Sequence, residues 1–377
     1  MLGLVLSGGG ARGAFQVGVY QRLLDDARFA RGFDVLSGTS AGGINAALIA
    51  AGKSPREMMD FWNGIASDPP IVASDRFFHD LVTTTLRLTW SEAARWLTSL
   101  GAARDFVARS RNHFPLRSGA LLAAWIEYLL TRRFELVSRF LQGIREPFVA
   151  DTAPLRERLV QAFGGERISS PMRLAINTVD AHTGRIVRFV NFETPYVRPP
   201  DYVVVDAITV DMVLASASIP LLFPPVEIGP HLLWDGGLLV NTPLAPVVAL
   251  GADEIVTVLV TEPPDPVRGP FAHFGRAVER TADSFLENAY NIDRKLLLER
   301  NRLARVDDAA YRDVTLYEVV RPPRNAIFTS GSYLFFEHGV IAHMHRLGLE
   351  AADEWLGRGP RVDRLEHEES VAAQLQA

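Results

Sequence analysis

Ser40 is the residue of this sequence best placed to act as a nucleophile. It stands in Gly38-Thr39-Ser40-Ala41-Gly42, a Gly-x-Ser-x-Gly stretch. An apolar run with Phe33, Val35 and Leu36 comes before it, and the Ala- and Ile-rich residues 44–50 follow. Strand, tight turn and helix in that order have the sequence form of a nucleophile elbow. Gly38 and Gly42 lack Cβ, so strand and helix approach closely there. The serine is then held at the tip, with the backbone N–H groups of a helix N-terminus behind it. The plainer reading of the same residues is a Gly/Ser loop ahead of a helix cap.

A second glycine-rich stretch, Ser7-Gly8-Gly9-Gly10-Ala11-Arg12-Gly13, follows the apolar residues 2–6. Gly8, Gly10 and Gly13 also fit the dinucleotide fingerprint Gly-x-Gly-x-x-Gly. That motif needs an acidic residue at the end of the second strand. Here the second strand ends in Ser37-Gly38, and Asp34 lies at its wrong end. An oxyanion hole fits better: successive glycines let backbone N–H groups converge beside Ser40. Arg12 either shapes this loop or draws an anionic substrate; a solvated arginine at a helix start is the simpler alternative.

A serine nucleophile needs a base. Late histidines exist at 273, 338, 343 and 345, but none sits in a loop after a strand. His182, beside Thr183-Gly184, reads as a surface turn residue. Asp235 is better placed, since it directly follows a strand, and Gly236-Gly237 let the chain turn sharply behind it. A partly desolvated carboxylate touching a serine hydroxyl can accept its proton. Taken by itself, an Asp-Gly turn explains Asp235 more simply.

The surrounding pattern says what must hold these residues. Strand 2–6, glycine loop, helix, strand 33–37, elbow and helix make a βαβα opening, which predicts a mostly parallel sheet. A capped helix is predicted at 54–68 from Ser54-Pro55-x-Glu57. Another is predicted at 152–163, then an antiparallel pair at 172–178 and 185–192. Further expectations are a helix at 206–217, a strand at 227–233 and a helix at 244–250. A strand at 253–260 and a proline-rich loop at 263–270 come next. Helices at 271–305 and 333–356 flank a strand at 314–320, and a frayed end is expected over 361–377. With 377 residues, 48% hydrophobic and 22% charged, the composition is globular. The absence of cysteine excludes disulfides, thiolate metal sites and a cysteine nucleophile. A net charge of −5 speaks against nucleic acid as a partner. Residues 1–6 read as a buried strand, so no secretory signal is expected, and no apolar run is long enough for a spanning helix. The expected localisation is cytoplasmic.

Residues 75–145 differ in character. Eleven arginines stand there against six acids, interleaved with aromatics, in a chain that is acidic overall. The stretch reads as a helical insertion, with helices expected at 93–107 and 121–130. It lies over the active site or on an anionic lipid surface, giving peripheral membrane contact. A plain helical subdomain with solvated arginines is the simpler reading.

Gly8-Gly9-Gly10-Ala11-Arg12-Gly13, Gly38-Thr39-Ser40-Ala41-Gly42, Ala215-Ser216-Ala217-Ser218-Ile219-Pro220 and Asp235-Gly236-Gly237 together resemble the patatin-like phospholipases, in that family's order. The resemblance covers about residues 1–260, with 75–145 unaligned. It implies a three-layer α/β/α fold with a mostly parallel central sheet. A catalytic domain over 1–260 would be followed by an extension, 261–358, packed on it, and by a tail, 359–377. It implies a dyad, with Ser40 as nucleophile and Asp235 as general base. An oxyanion hole would be built from Gly8, Gly9, Gly10, Ala11, Arg12 and Gly13, and neither metal nor cofactor is required. The implied reaction is hydrolysis of phospholipid, lysophospholipid or acylglycerol esters through an acyl-enzyme. Acyl transfer to another alcohol shares that intermediate, and a silent lipid-binding scaffold remains the non-enzymatic alternative. Oligomeric state, headgroup and chain length are not legible in the sequence.

Overall fold

Strand β1 (Leu2–Leu6) lies inside a nine-stranded sheet, with parallel neighbours on both edges. Its apolar run reflects cover on both faces, as is usual for parallel strands. The computed structural model describes residues 1–68, 71–98, 134–263, 274–305, 312–324 and 336–364. The chain divides into two units. One comprises Met1–Val72, Thr152–Pro220 and Pro224–Ala377; the other comprises Ala73–Asp151 and Leu221–Phe223.

After β1 come α1 (Gly13–Leu24), β2 (Val35–Gly38), α2 (Ala41–Ala50), α3 (Pro55–Ser67) and the short strand β3 (Val72–Ala73). Helices α4 (Asp75–Thr98) and α5 (Phe134–Gly143) precede β4 (Ala150–Asp151) and α6 (Ala153–Phe163). Strands β5 (Arg167–Ile168), β6 (Arg173–Asp180), β7 (Ile186–Val190), β8 (Tyr202–Val204) and β9 (Ile208–Thr209) lead into α7 (Val210–Ser216). The hairpin β10 (Val226–Ile228) and β11 (His231–Asp235) is followed by α8 (Leu244–Ala249) and β12 (Glu254–Val258). Helix α9 (Phe274–Ala304), strand β13 (Thr315–Leu316) and helix α10 (His338–Gly357) complete the described elements.

Pairing follows the path β10-β11-β6-β2-β1-β12-β13, in which β11 and β2 lie end to end on one edge of β6, with β7 on its other edge and β8 beyond it. Pairings among β6, β2, β1, β12 and β13 are all parallel, whereas β7, β10 and β11 enter antiparallel pairs. Alternation along the strands splits the core into two layers. Leu4, Leu6, Val256 and Val258 pack with α1, α2, α3, α6, α7 and α10. Val5, Ile255 and Leu259 pack with α8 and α9 on the other face. The result is the expected three-layer α/β/α arrangement around a mostly parallel sheet.

Most predicted elements are found, and α3 starts with the expected capping box between Ser54 and Glu57. Three expectations need correction. The helix expected over 206–217 begins only at Val210, because the Thr209 hydroxyl caps it by accepting the Met212 N–H. Residues 208–209 pair with β5 instead. The single strand expected over 227–233 is a hairpin, because Gly229, at φ 58°, turns the chain between β10 and β11. The last strand is short: beyond Leu316 only isolated bridges at Tyr317 and Val320 continue it. The short strands β3, β4, β5, β8 and β9 have no counterpart among the expected elements. The helix expected at 121–130, most of that at 93–107, nearly all of the proline-rich loop and most of the end over 361–377 lie outside the described residues.

In the second unit, α4 and α5 meet so closely that a Cβ on Gly143 would stand 2.3 Å from Thr84 Cγ2. The Asp80 carboxylate accepts the N–H of Arg145 at 2.9 Å. Thr84 and Leu136 are buried, whereas Phe78, Val82, Leu86 and Trp90, each four residues after the last on α4, are exposed. Among the described residues no helix is long and apolar enough to cross a membrane.

The approach of β1 to α2 yields a stability prediction. A Cβ on Gly42 would stand 2.2 Å from the Leu6 carbonyl oxygen, which is backbone and cannot swing aside. Gly42→Ala is expected to destabilise the fold by about 1–3 kcal/mol or more in urea unfolding. Gly339→Ala, in open space within α10, is expected to be neutral or to stabilise by up to about 1 kcal/mol. Equal stability of the two variants would contradict this packing.

Candidate active site

Strands β2 and β11 share one edge of β6. Strand β7 takes the other edge over residues 175–179 and so overlaps both partners. Strand β2 runs parallel to β6 and ends at Gly38, opposite Ile176. Strand β11 enters from the far end, antiparallel, and stops at Asp235, opposite Thr178. The two strand ends therefore face each other across about 7 Å of β6. Ser40 lies just beyond one end, and Asp235 is the other.

Asn177 sits at this junction, a fully buried amide midway along β6. Its Nδ2 donates to the Gly38 carbonyl at 2.8 Å and to Ser37 Oγ at 3.2 Å. Its own carbonyl accepts the Ser216 hydroxyl at 2.7 Å. A Cβ on Gly236 would come within 2.4 Å of that same carbonyl oxygen, so the turn after Asp235 passes directly over it.

Ser40 precedes the first residue of α2 and has φ 55° and ψ −127°, a strained region for a residue with a side chain. Its N–H donates to Ser216 Oγ at 3.0 Å. Gly38 and Gly42 let strand and helix close on each other: a Cβ on Gly38 would stand 2.1 Å from the Gly42 carbonyl oxygen. The Ser40 side chain stands beside the Asp235 carboxylate, whose proton affinity it lowers. Asp235 Oδ1 accepts the Gly237 N–H at 2.7 Å, and the Asp235 N–H donates to the Ser218 carbonyl at 2.9 Å. Only 7% of Ser40 and 5% of Asp235 are exposed. Burial pushes the Asp235 carboxyl up to about 7, against the downward pull of the Gly237 N–H and of the neighbouring Ser40 side chain.

The glycine loop lies beside this pair, and a Cβ on Gly8 would stand 3.1 Å from Ser40 Cβ. Its N–H groups are not equivalent. Gly8 donates to the Asn241 carbonyl, Arg12 to Gly9, and Gly13 to Ala11 and Gly10. Among the described residues no acceptor takes the N–H of Gly9, Gly10 or Ala11. Those three are available to an external acceptor.

Arg12 is buried, and its guanidinium donates to the Val260 carbonyl at 3.0 Å. The solvated reading of this arginine is therefore corrected: it braces the loop against the end of β12. A second brace has no counterpart in the motifs. Gln16 donates to the Ser7 carbonyl at 2.7 Å, and Asn45 donates to Gly13 O and to Gln16 Oε1, each at 2.9 Å. The Trp62 indole donates to Asn45 Oδ1 at 3.0 Å. These residues carry one signal in the sequence: polar side chains inside apolar helices. The histidines go elsewhere. His182 is exposed, and His338, His343 and His345 bond Ser67, Arg346 and Gln21. His273 lies outside the described residues.

The family model for patatin-like phospholipases matches residues 4–248. No curated protein sequence matches the chain. Among solved structures, a crystal structure of VipD from Legionella pneumophila aligns at TM-score 0.39 and 15% identity, covering 96% of this chain and 68% of that one. The heterodimeric complex ExoU-SpcU, from the type III secretion system of Pseudomonas aeruginosa, aligns at TM-score 0.34 and 17% identity, covering 95% of this chain. A crystal structure of the type III effector protein ExoU aligns at TM-score 0.35 and 18% identity, covering 94%. This chain spans about half the length of the chains in the latter two structures, 51% and 52%.

The raised Asp235 carboxyl has consequences for stability. The folded chain holds this proton more tightly than the unfolded chain, in which the carboxyl titrates near 3.8. The group therefore favours the fold fully below 3.8, and that contribution is lost as the pH rises through about 7. Asp235→Asn carries no buried charge at any pH. Its melting temperature is expected to exceed that of the wild type at pH 8, by a margin that shrinks toward pH 5. A margin independent of pH between 5 and 8 would contradict the burial of an ionising carboxyl.

Proposed function

The chain belongs to the patatin-like phospholipase family, and from that premise we propose that it is a serine acyl hydrolase of phospholipid, lysophospholipid or acylglycerol esters. The observation that carries this reading is a buried Asp235 carboxyl beside the side chain of Ser40, which sits at a strained elbow. Ser40 Oγ attacks the ester carbonyl while its proton passes to Asp235. The N–H groups of Gly9, Gly10 and Ala11 take the oxyanion of the tetrahedral intermediate. Collapse expels the alcohol, which leaves with the proton from Asp235, and the acyl group stays on Ser40. Water then attacks the acyl-enzyme, Asp235 takes its proton, and the fatty acid departs as Ser40 regains the hydrogen.

The carboxyl near 7 suits this double duty, since it can hold and release a proton around neutral pH. The base must be ionised in the free enzyme, so kcat/KM is expected to rise with pH through a midpoint near 7. The catalytic domain is proposed to span 1–260, with 261–358 packed on it.

The substrate surface is proposed to be a membrane reached peripherally through residues 75–145. The arginine excess there and the exposed Phe78, Val82, Leu86 and Trp90 on α4 support this. Apolar side chains enter the interface while arginines meet anionic headgroups. Anionic vesicles are expected to carry the protein in flotation more strongly than zwitterionic ones. Leu86→Ser with Trp90→Ser should weaken the binding. Equal or absent flotation with both lipids would remove this contact.

The catalytic roles are tested by steady-state hydrolysis of a short-chain p-nitrophenyl ester and of micellar phospholipid. Ser40→Ala and Asp235→Asn, both folded by circular dichroism, are expected to lose at least about 10³-fold in kcat. A dead Ser40→Ala beside a nearly active Asp235→Asn would mean that another group is the base.

A further inference from the structure

Helix α7 ends in Ser216-Ala217-Ser218, a segment that the proposed chemistry leaves without a role. It bonds the main chain of both Ser40 and Asp235. Ser216 Oγ accepts the Ser40 N–H at 3.0 Å and donates its own hydrogen to the Asn177 carbonyl at 2.7 Å. Two residues on, the Ser218 carbonyl accepts the Asp235 N–H at 2.9 Å. Both serines are fully buried.

We propose that Ser216 is a positioning residue for acyl transfer, its hydroxyl fixing the Ser40 backbone relative to Asp235. This inference rests on the hydrolase reading above. Three observations lead to it. First, Ser40 needs an external hold. At φ 55° its conformation is costly, and it persists only where the surroundings over-determine it. The Ser40 carbonyl is held by the Ile44 N–H of α2, but the Ser40 N–H bonds a side chain, so the N–H side of that hold depends on one hydroxyl. Second, the hydroxyl is used on both sides, once as donor and once as acceptor, which sets its orientation. Third, its acceptor is Asn177 O, which lies between the β6 partners of Gly38 and Asp235. The chain Ser40–Ser216–Asn177 thus refers the nucleophile to the same strand position that sets the base.

Space around the group is tight, and a Cβ on Gly43 would stand 3.1 Å from Ser216 Oγ. Ser216→Ala leaves the Ser40 N–H buried without an acceptor, and Ser40 relaxes from its elbow conformation. Substrate binding does not use this bond, so the loss falls on turnover.

The test compares wild type with Ser216→Ala and Ser216→Cys, the latter close in size but a poor hydrogen-bond partner. Hydrolysis of a p-nitrophenyl ester supplies kcat and KM, and labelling with a fluorophosphonate counts competent Ser40 sites and times their reaction. For both variants kcat per labelled site is expected to fall about 10- to 100-fold, with KM within about two-fold and labelling slowed in parallel. If Ser216→Ala does not fold, Ser216→Cys carries the comparison. Unchanged kcat per labelled site in a folded variant overturns the proposal, including the case where only the number of competent sites falls. A wild type inert toward every ester and toward the fluorophosphonate overturns the hydrolase reading and this inference with it. An active wild type beside equally active variants overturns this inference alone.

Discussion

Strands β2 and β11 compete for one edge of β6, and each stops where the other begins. That head-to-head meeting places Ser40 and Asp235 together, although 195 positions separate them in the sequence. It constrains much else. The chain leaving β2 must turn at once into α2, which requires the close approach of Gly38 and Gly42. The chain leaving β11 must clear the Asn177 carbonyl, which leaves no room for a side chain at Gly236. Asn177 itself must be polar, because the β2 carbonyl and hydroxyl at the junction need a donor that a ladder ending there does not supply.

Burial gives the site its electrostatic character. A carboxylate in water is a weak base toward a serine hydroxyl. Removed from water, with the Gly237 N–H as donor and Ser40 beside it, Asp235 binds a proton near neutral pH. The same desolvation is a burden on the fold above that pH. The large layered core carries that cost, and the site is stiffened from several sides. Arg12 braces the glycine loop against β12. Gln16, Asn45 and Trp62 tie it to α1, α2 and α3. The proposed oxyanion hole, made of backbone N–H groups, works only if the loop holds its shape before substrate arrives.

Local patterns made much of this legible. Residues 2–6 and 253–260 are apolar runs, and they are neighbouring parallel strands. Gly38 to Gly42 reads as an elbow and folds as a strand, a strained serine and a helix. Asp235 is different: its neighbourhood alone suggests an ordinary Asp-Gly turn, and only the order of four motifs singles it out. The division of labour within the glycine loop was hidden, because which N–H groups remain free depends on Asn241 and on the 3₁₀ turn at Gly10–Arg12. The bonds of Ser216 and Asn177 were hidden for the same reason. They join residues 39 and 139 or more positions apart, and no periodicity records such pairs. The start of α7 was misplaced because a threonine cap overrides a continuous helical pattern.

The central claim is that Ser40 carries the acyl group during turnover. The most direct measurement is peptide mapping by mass spectrometry after mixing the protein with a slowly deacylating fatty-acyl p-nitrophenyl ester and quenching in acid within the first turnover. The account predicts a single acyl adduct, on the peptide containing Ser40, formed at the rate of the p-nitrophenol burst. A burst with the acyl group on any other residue, or turnover without an adduct under conditions that stall deacylation, would contradict it.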